Sequence, residues 1–110
     1  MFGSNSLALI VAYALKKSDQ CEKVVVVAEE HLKDFIESFD GIFVLDDGEP
    51  TEVQKQLMAI STDGYDYTFE CSNFQRWGTV ALEICHKGFG RCCLLSRPQS
   101  GTEVIKTRPF

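Results

Sequence analysis

The sequence predicts an α/β domain in which a mainly parallel sheet carries helices on both faces. Short apolar runs alternate along the chain with stretches whose apolar residues recur at helical spacing. One run, at residues 23–28, contains four consecutive valines, which is typical of a strand buried on both faces in a parallel sheet. The chain has 110 residues, 45% apolar and 25% charged, which fits one globular domain and excludes disordered and low-complexity classes.

The first half of the chain predicts two helix–strand pairs. Apolar spacing indicates a helix over about 4–17, with Ser4 or Ser6 as its N-terminal cap and two lysines at its C-terminal end. The valine run follows as a strand. Residues 30–39 repeat the helical pattern, and residues 42–45 form a second short apolar strand.

The second half repeats this alternation. Thr51 and Gln54 have the spacing of a capping box, and residues 72–75 show the same pattern, so each predicts a helix start. Glycines near residue 88 are expected to end the second of these helices. In order, the predicted elements are a helix at about 51–61, an aromatic-rich strand at 65–71, a helix at about 73–87, a strand at 91–96 and a short strand at Val104 and Ile105.

The first helix begins abruptly. A strand–turn–helix unit normally opens with about five residues of strand, but here only Met1 and Phe2 precede the predicted turn. We therefore expect the fold to be truncated at its N-terminal edge.

Charge and cysteine content restrict the partners. The net charge of −5 disfavours nucleic acid and anionic membrane surfaces, because phosphate groups would be repelled. The apolar run at 7–15 is too short to span a bilayer, so no membrane partner is expected. Five cysteines, an odd number without a C-x-x-C pair or a preceding secretory signal, indicate reduced thiols in the cytoplasm.

Other chemistry-bearing residues predict structural roles. Cys85 and His86 are neighbours, and neighbouring side chains on a helix diverge, so they are not expected to form a catalytic pair. Trp77, Phe74 and Phe89 are interpreted as packing residues around the last helix.

Three segments carry a resemblance to a known family. They are Gly64-Tyr-Asp-Tyr-Thr-Phe-Glu-Cys71, Ala81-Leu-Glu-Ile-Cys-His-Lys-Gly-Phe-Gly90 and Ser100-Gly-Thr-Glu-Val-Ile-Lys-Thr-Arg-Pro-Phe110. In this order they resemble the cofactor-binding domain of class III alcohol dehydrogenase, also called S-(hydroxymethyl)glutathione dehydrogenase, a zinc-containing medium-chain dehydrogenase. Residues 1–61 resemble the family more weakly, although the order of elements agrees.

The resemblance implies a Rossmann fold that binds NAD. In that family the enzyme is a cytosolic homodimer, and a separate catalytic domain holds both zinc sites. The resemblance therefore implies that residues 1–110 are a single partial dinucleotide-binding domain, truncated at both ends and without the catalytic domain. It implies no catalytic residue and no zinc ligand in this chain.

The family's glycine motif aligns with Gly3-Ser-Asn-Ser-Leu-Ala8. The motif Gly-x-Gly-x-x-Gly gives a tight turn, close approach of the pyrophosphate and close helix–strand packing. Gly3 retains the first glycine, whereas Asn5 and Ala8 replace the second and third. The resemblance thus implies a pyrophosphate loop at Gly3, Ser4, Asn5 and Ser6, in which the Asn5 side chain obstructs the phosphates.

The ribose contact is also altered. An acidic residue about twenty positions after the motif normally binds the adenosine ribose. The resemblance places Ala28 at that position, followed by Glu29 and Glu30, while Lys33 matches a lysine that supports the same ribose. Glu29 and Lys33 are therefore the candidate ribose contacts, and the alternative is a solvated acidic helix start.

Two further cofactor contacts differ from the family. Ser72 stands where the family has an apolar residue on the adenine. Arg97 stands in a Ser-Arg pair where the family has Gly-Val beside the nicotinamide. Together with the altered loop, these changes imply that binding of NAD is weak or lost.

Three functions remain open from the sequence. The first is a degenerate dehydrogenase domain that binds NAD or an adenine nucleotide weakly and does not catalyse alone. The second is a relic without nucleotide binding that acts through protein contact, with intact dehydrogenase subunits as its candidate partner. The third is an unrelated flavodoxin-like domain that binds a phosphate or a partner.

Overall fold

Four α-helices and four strands alternate along residues 1–18, 21–46, 49–71 and 74–95, which are the residues that the computed structural model describes. In chain order they are α1 (Ser6–Lys17), β1 (Val25–Ala28), α2 (Lys33–Ser38), β2 (Ile42–Leu45), α3 (Pro50–Ile60), β3 (Tyr67–Glu70), α4 (Phe74–Glu83) and β4 (Arg91–Leu94), with a 3-10 turn at Glu30–Leu32 before α2. The predicted α/β alternation is confirmed.

The strands form two parallel pairs joined by the N-terminal segment Met1–Gly3. Strand β1 pairs with β2, and β3 pairs with β4. Phe2 bridges the pairs, because it lies opposite Val27 on one side and Glu70 on the other, both in parallel orientation. The spatial order is therefore β2, β1, Met1–Gly3, β3, β4, which is the order of the first five strands of a doubly wound dinucleotide-binding sheet.

One face of this sheet is covered along its length. Helices α3 and α4 pack on it, and the Trp77 ring stacks on the Phe2 ring with centroids 5.3 Å apart. The buried residues of this core come from β1, β2, the N-terminal segment and both helices: Phe2, Val25, Val27, Val44, Val53, Leu57, Trp77, Val80, Ala81 and Ile84.

The other face is covered over β1 and β2. Its core consists of Ala12, Val24, Val26, Ala28, Ile36 and Phe39, contributed by α1, β1, α2 and flanking turns. Over β3 and β4 the same face is open among the described residues, because the side chains of Tyr67 and Leu95 are 58% and 43% exposed. The helices therefore lie on both faces, as predicted, but the second face is covered over only half of the sheet.

The cap of α1 differs from the prediction. Asn5, and neither Ser4 nor Ser6, is the N-cap, since its extended backbone (φ −88°, ψ 169°) directly precedes the helix and its Oδ1 accepts from Ala8 N at 2.9 Å. Ser4 Oγ instead accepts from Glu29 N at 2.9 Å. Asn5 lies between the two predicted serines, and it is the residue directly before the first helical residue, Ser6.

The predicted capping box at Thr51 is wrong. Helix α3 begins one residue earlier, because Pro50 at its first position has a backbone already suited to a helix. Its N-cap is Glu49, which makes no side-chain cap bond, and Gln54 Nε2 donates to Glu83 Oε2 at 3.0 Å instead.

Helix α4 ends at Glu83, before the glycines that were expected to end it. The following residues return to the sheet, where His86 N donates to Tyr65 O at 2.8 Å. Phe89 is 80% exposed, so its predicted packing role is wrong, whereas that of Trp77 is confirmed. The predicted second capping box at 72–75 and the strand at Val104 and Ile105 lie outside the described residues and side chains.

Candidate functional site

The candidate site lies where the N-terminal segment passes into α1, between the carboxyl ends of β1 and β3. Gly3 makes this turn with φ +153°, and a Cβ there would lie 3.1 Å from Ala8 Cβ and 3.3 Å from Cys71 Cβ. The position therefore requires glycine, both for its backbone and for the close approach of helix and strand. In doubly wound sheets, ligands bind in the crevice at this point, where the strand order reverses.

Asn5 spans this crevice. Its Oδ1 caps the α1 amide of Ala8, and its Nδ2 donates to Cys71 O, directly after β3, at 2.7 Å. The side chain is thus held at both ends, by the helix and by the end of a strand. The amides of Ser6 and Leu7 precede the first intrahelical bond, from Leu9 N to Asn5 O, and are the helix-end donors left by this cap.

Ser4 and Glu29 join the loop to the end of β1. The Glu29 amide donates to Ser4 Oγ, so Glu29 meets the loop through its backbone. Its carboxylate is exposed and lies 3.6 Å from His31 Nδ1. Ala28, which the resemblance aligns with an acidic ribose contact, is fully buried in the core on the α1 and α2 side of the sheet.

The structure places five of the candidate residues together: Gly3, Ser4, Asn5, Ser6 and Glu29. Lys33 is the exposed first residue of α2, on the element that follows Glu29. Ser72 and Arg97 lie outside the described residues.

Cys71 is a site residue that sequence reasoning did not single out for this role. Its carbonyl holds Asn5, its Cβ faces Gly3, and its Sγ donates to Met1 Sδ at 3.6 Å. Burial raises the pKa of the Cys71 thiol, which disfavours the reactive thiolate. The available signal was its position directly after a predicted strand, at the edge where such sheets bind ligands.

The polar groups of this arrangement are suited to binding a ligand. It offers helix-end amides, hydroxyls and one amide side chain, which suit an anion better than a cation. No cluster of three or more His, Cys, Asp or Glu side chains is placed to hold a metal ion within the part of the chain that the structure describes. None of the described helices combines the length and apolar character needed to cross a membrane.

Comparison with known proteins finds relatives that are all named as dehydrogenases of alcohol or of S-(hydroxymethyl)glutathione. No protein-family model matches the chain. The chain is 29% identical over 113 residues to an S-(hydroxymethyl)glutathione dehydrogenase of Komagataella pastoris and 30% identical over 112 residues to an alcohol dehydrogenase class-3 of Pisum sativum, and both matches cover 100% of the chain. An alcohol dehydrogenase class-3 of Dictyostelium discoideum is 41% identical over 58 residues, which are 53% of the chain and 15% of that protein.

The coverage is unequal in the two directions. The first two matches include the whole chain but only 30% and 29% of the relatives. The chain therefore spans about 30% of the length of these curated relatives. Its curated homologues are class III alcohol dehydrogenases, also named S-(hydroxymethyl)glutathione dehydrogenases, and the chain is similar throughout to one segment of them.

Proposed function

We propose that this chain is a degenerate nucleotide-binding domain that binds NAD weakly and does not catalyse on its own. The observation that carries the proposal is the α1 N-terminus, reached through the glycine-dependent turn at Gly3 and placed at the carboxyl end of the N-terminal segment Met1–Gly3. Helix-end amides at this position attract the phosphates of dinucleotides. The similarity to dehydrogenases supports NAD as the nucleotide.

Weak binding follows from Asn5. A pyrophosphate approaching α1 meets a side chain fixed between Ala8 N and Cys71 O, in the place where a glycine would leave the backbone open. Displacing Asn5 breaks two hydrogen bonds, each worth about 0.5–1.5 kcal/mol. The nucleotide must therefore offset this loss before it gains affinity.

The charges near the loop favour NAD over NADP. Glu29 and Glu30 follow β1 directly, and their carboxylates would repel a 2′-phosphate at the ribose. Lys33 is a nearby cation that offsets this repulsion only in part. The expected order is therefore weak binding of NAD and weaker binding of NADP.

In this proposal, the dehydrogenase reaction of the relatives depends on parts of those proteins outside the segment that this chain matches. Removing hydride from an alcohol is assisted by a Lewis acid that stabilises the alkoxide. The sequence of this chain carries no recognisable zinc-ligand constellation, and the chain spans about 30% of the relatives. We also propose a cytoplasmic location, consistent with unpaired thiols.

A protein-interaction role without nucleotide binding is the second candidate. The observation that favours it is the open face of β3 and β4, which exposes Tyr67 and Leu95. Intact dehydrogenase subunits are its proposed partners.

Calorimetric titration with NAD separates the two candidates. We expect weak binding to the wild type and tighter binding to Asn5→Gly, since glycine removes the obstruction and substitutes for a cap at a cost of only a few tenths of a kcal/mol. Ala28→Asp is the matched comparison. It should improve binding less, because it adds one ribose bond at a fully buried position where a carboxylate destabilises the fold.

The outcomes are distinct. Circular dichroism first confirms that each variant is folded. If Ala28→Asp restores binding and Asn5→Gly does not, the account of the loop is wrong. If none of the three proteins binds NAD, the nucleotide proposal is rejected and the protein-interaction role is favoured.

A further inference from the structure

A cavity of about 440 Å³ lies at the amino end of the N-terminal segment Met1–Gly3, opposite the end that carries the candidate site. One wall is the chain entering β1, at Lys23, Val24 and Val25, and the other is the chain entering β3, at 65–67 and Phe69. Met1 forms its end. The cavity is therefore a slot between two parallel strands, in line with the N-terminal segment.

The backbone around the slot has the geometry of a strand partner. Met1 N donates to Val25 O at 2.9 Å, and Phe2 N donates to Phe69 O at 2.8 Å. Within a strand, the N–H and C=O of one residue point to the same side, so the N–H groups of Val25 and Phe69 also face the slot. The alternate residue Val24 faces β2, where its carbonyl accepts from Ile42 N at 2.9 Å.

The dimensions also match a single strand. The chains of β1 and β3 are each one strand spacing from the N-terminal segment, so they stand about 9–10 Å apart. Lys23–Val25 extends the slot by three residues, which is about 10 Å of extended chain. A segment of three to four residues fills this length.

We propose that the slot binds an extended apolar segment of another polypeptide, which adds as a strand parallel to β1 and β3. The backbone hydrogen bonds supply affinity, as in other cases of strand addition, and the side chains supply specificity. Inserted side chains meet apolar groups of Leu15, Val24 and Phe69 inside the slot.

The charges at the opening of the slot affect which residue is preferred at the N-terminal end of the bound segment. The slot opens at Glu22 and Asp66, two exposed carboxylates, beside the ammonium group of Lys23. The ammonium group of Lys16 also lies at this opening, where it donates to Glu22 O at 3.1 Å. The whole chain carries a net charge of −5. In a parallel strand this opening lies at the N-terminal end of the inserted segment, so a basic residue is favoured there.

The first test is binding of a labelled peptide in trans. The probe is fluorescent Lys-Val-Ile-Val with an amidated C-terminus, and the control is Lys-Val-Pro-Val, whose proline lacks the central donor. Fluorescence polarisation should show saturable binding of the first and at least tenfold weaker binding of the second. Phe69→Ser should weaken binding at least tenfold, and Phe89→Ser, an exposed phenylalanine away from the slot, should leave it unchanged.

The second test places the segment in cis, so that it does not depend on Phe69→Ser remaining folded. Lys-Val-Ile-Val added before Met1 should raise Tm by about 5 °C, the shift that about 1 kcal/mol of added stability produces in a domain near this size, and should abolish binding of the labelled peptide. Gly-Ser-Gly-Ser at the same place should do neither. The proposal is overturned if the peptide does not bind the wild type, if the proline peptide binds equally, or if the extended chain still binds it.

This inference is independent of nucleotide binding. NAD is proposed at the carboxyl end of the N-terminal segment Met1–Gly3, and the peptide at its amino end. A chain that binds peptide but not NAD retains this proposal and rejects the other, and the reverse outcome does the opposite.

Discussion

The strands in the two halves of the sheet differ in how far they are buried. In β1 all four residues are buried, because α1 and α2 cover one face and α3 and α4 cover the other. In β4 exposed and half-buried residues alternate, because α4 covers one face and the described residues leave the opposite face open. A parallel strand is therefore buried on both faces only where helices lie on both sides of it.

Strand β3 shows the consequence most clearly. Thr68 and Glu70 are buried beneath α4, and Thr68 Oγ1 donates to Ala81 O at 3.0 Å. Tyr67, a residue of high strand propensity, points to the open face and is 58% exposed. In this half, the polar side chains are inside and an aromatic side chain is outside, which is the reverse of the usual alternation.

The largest predicted effect comes from a substitution in the core that both halves of the sheet share. Trp77→Ala should lower the free energy of unfolding by about 3–5 kcal/mol, because it removes a fully buried ring that stacks on Phe2 at the centre of the sheet. Tyr67→Ala, on the open face, should cost much less. Urea denaturation compares the two variants, and similar losses would contradict the difference between the faces.

The next prediction concerns the junction of the halves at Gly3. Gly3→Ala should cost about 2–3 kcal/mol, since it combines an unfavourable φ with a Cβ crowded by Ala8 and Cys71. Gly88→Ala is the matched control, because its φ of +106° is also unfavourable but no atom lies within 4 Å of the new Cβ. Gly88→Ala should therefore cost less, and thermal unfolding measures both.

A smaller effect involves the α-amino group of Met1, which donates to β1 at the same junction. Burial lowers its pKa to about 6, with a smaller opposing effect from Cys71 and Cys92. The unfolded chain binds a proton near pH 8, so the free energy of unfolding should rise between pH 6 and pH 8, by roughly 2 kcal/mol.

N-terminal acetylation is the control for this rise. It removes the titrating amino group and leaves every side chain unchanged, so the acetylated chain reports the pH dependence that does not come from Met1. An equal rise in the acetylated chain would show that Met1 is not responsible.

The sequence was sufficient to predict the helices and strands, but it was insufficient to predict which faces of the strands the helices cover. Helical spacing and the valine run predicted α1 and β1, because both patterns are local. The open face of β3 could not be predicted, since it depends on which helices pack there, and the aromatic pattern of 65–71 is the same in either case. At the candidate site, the Gly3 turn was predicted from its motif, but the double role of Asn5 required the position of Cys71 O, which is 66 residues distant in sequence.

The smallest predicted effect compares two tyrosines, one beneath the covered face of the sheet and one on its open face. Tyr65 Oη donates to Leu57 O at 2.6 Å beneath the covered face, so Tyr65→Phe should cost about 0.5–1.5 kcal/mol, whereas Tyr67→Phe on the open face should cost nothing measurable. Burial raises the pKa of Tyr65 to about 12, above its ordinary value of 10.0. The unfolded chain then loses this proton first, and stability should fall as the pH rises from about 10 towards 12. Denaturation across this range should show a shallower fall in Tyr65→Phe than in Tyr67→Phe. If stability falls equally in both variants, burial in the folded chain does not raise the pKa of Tyr65.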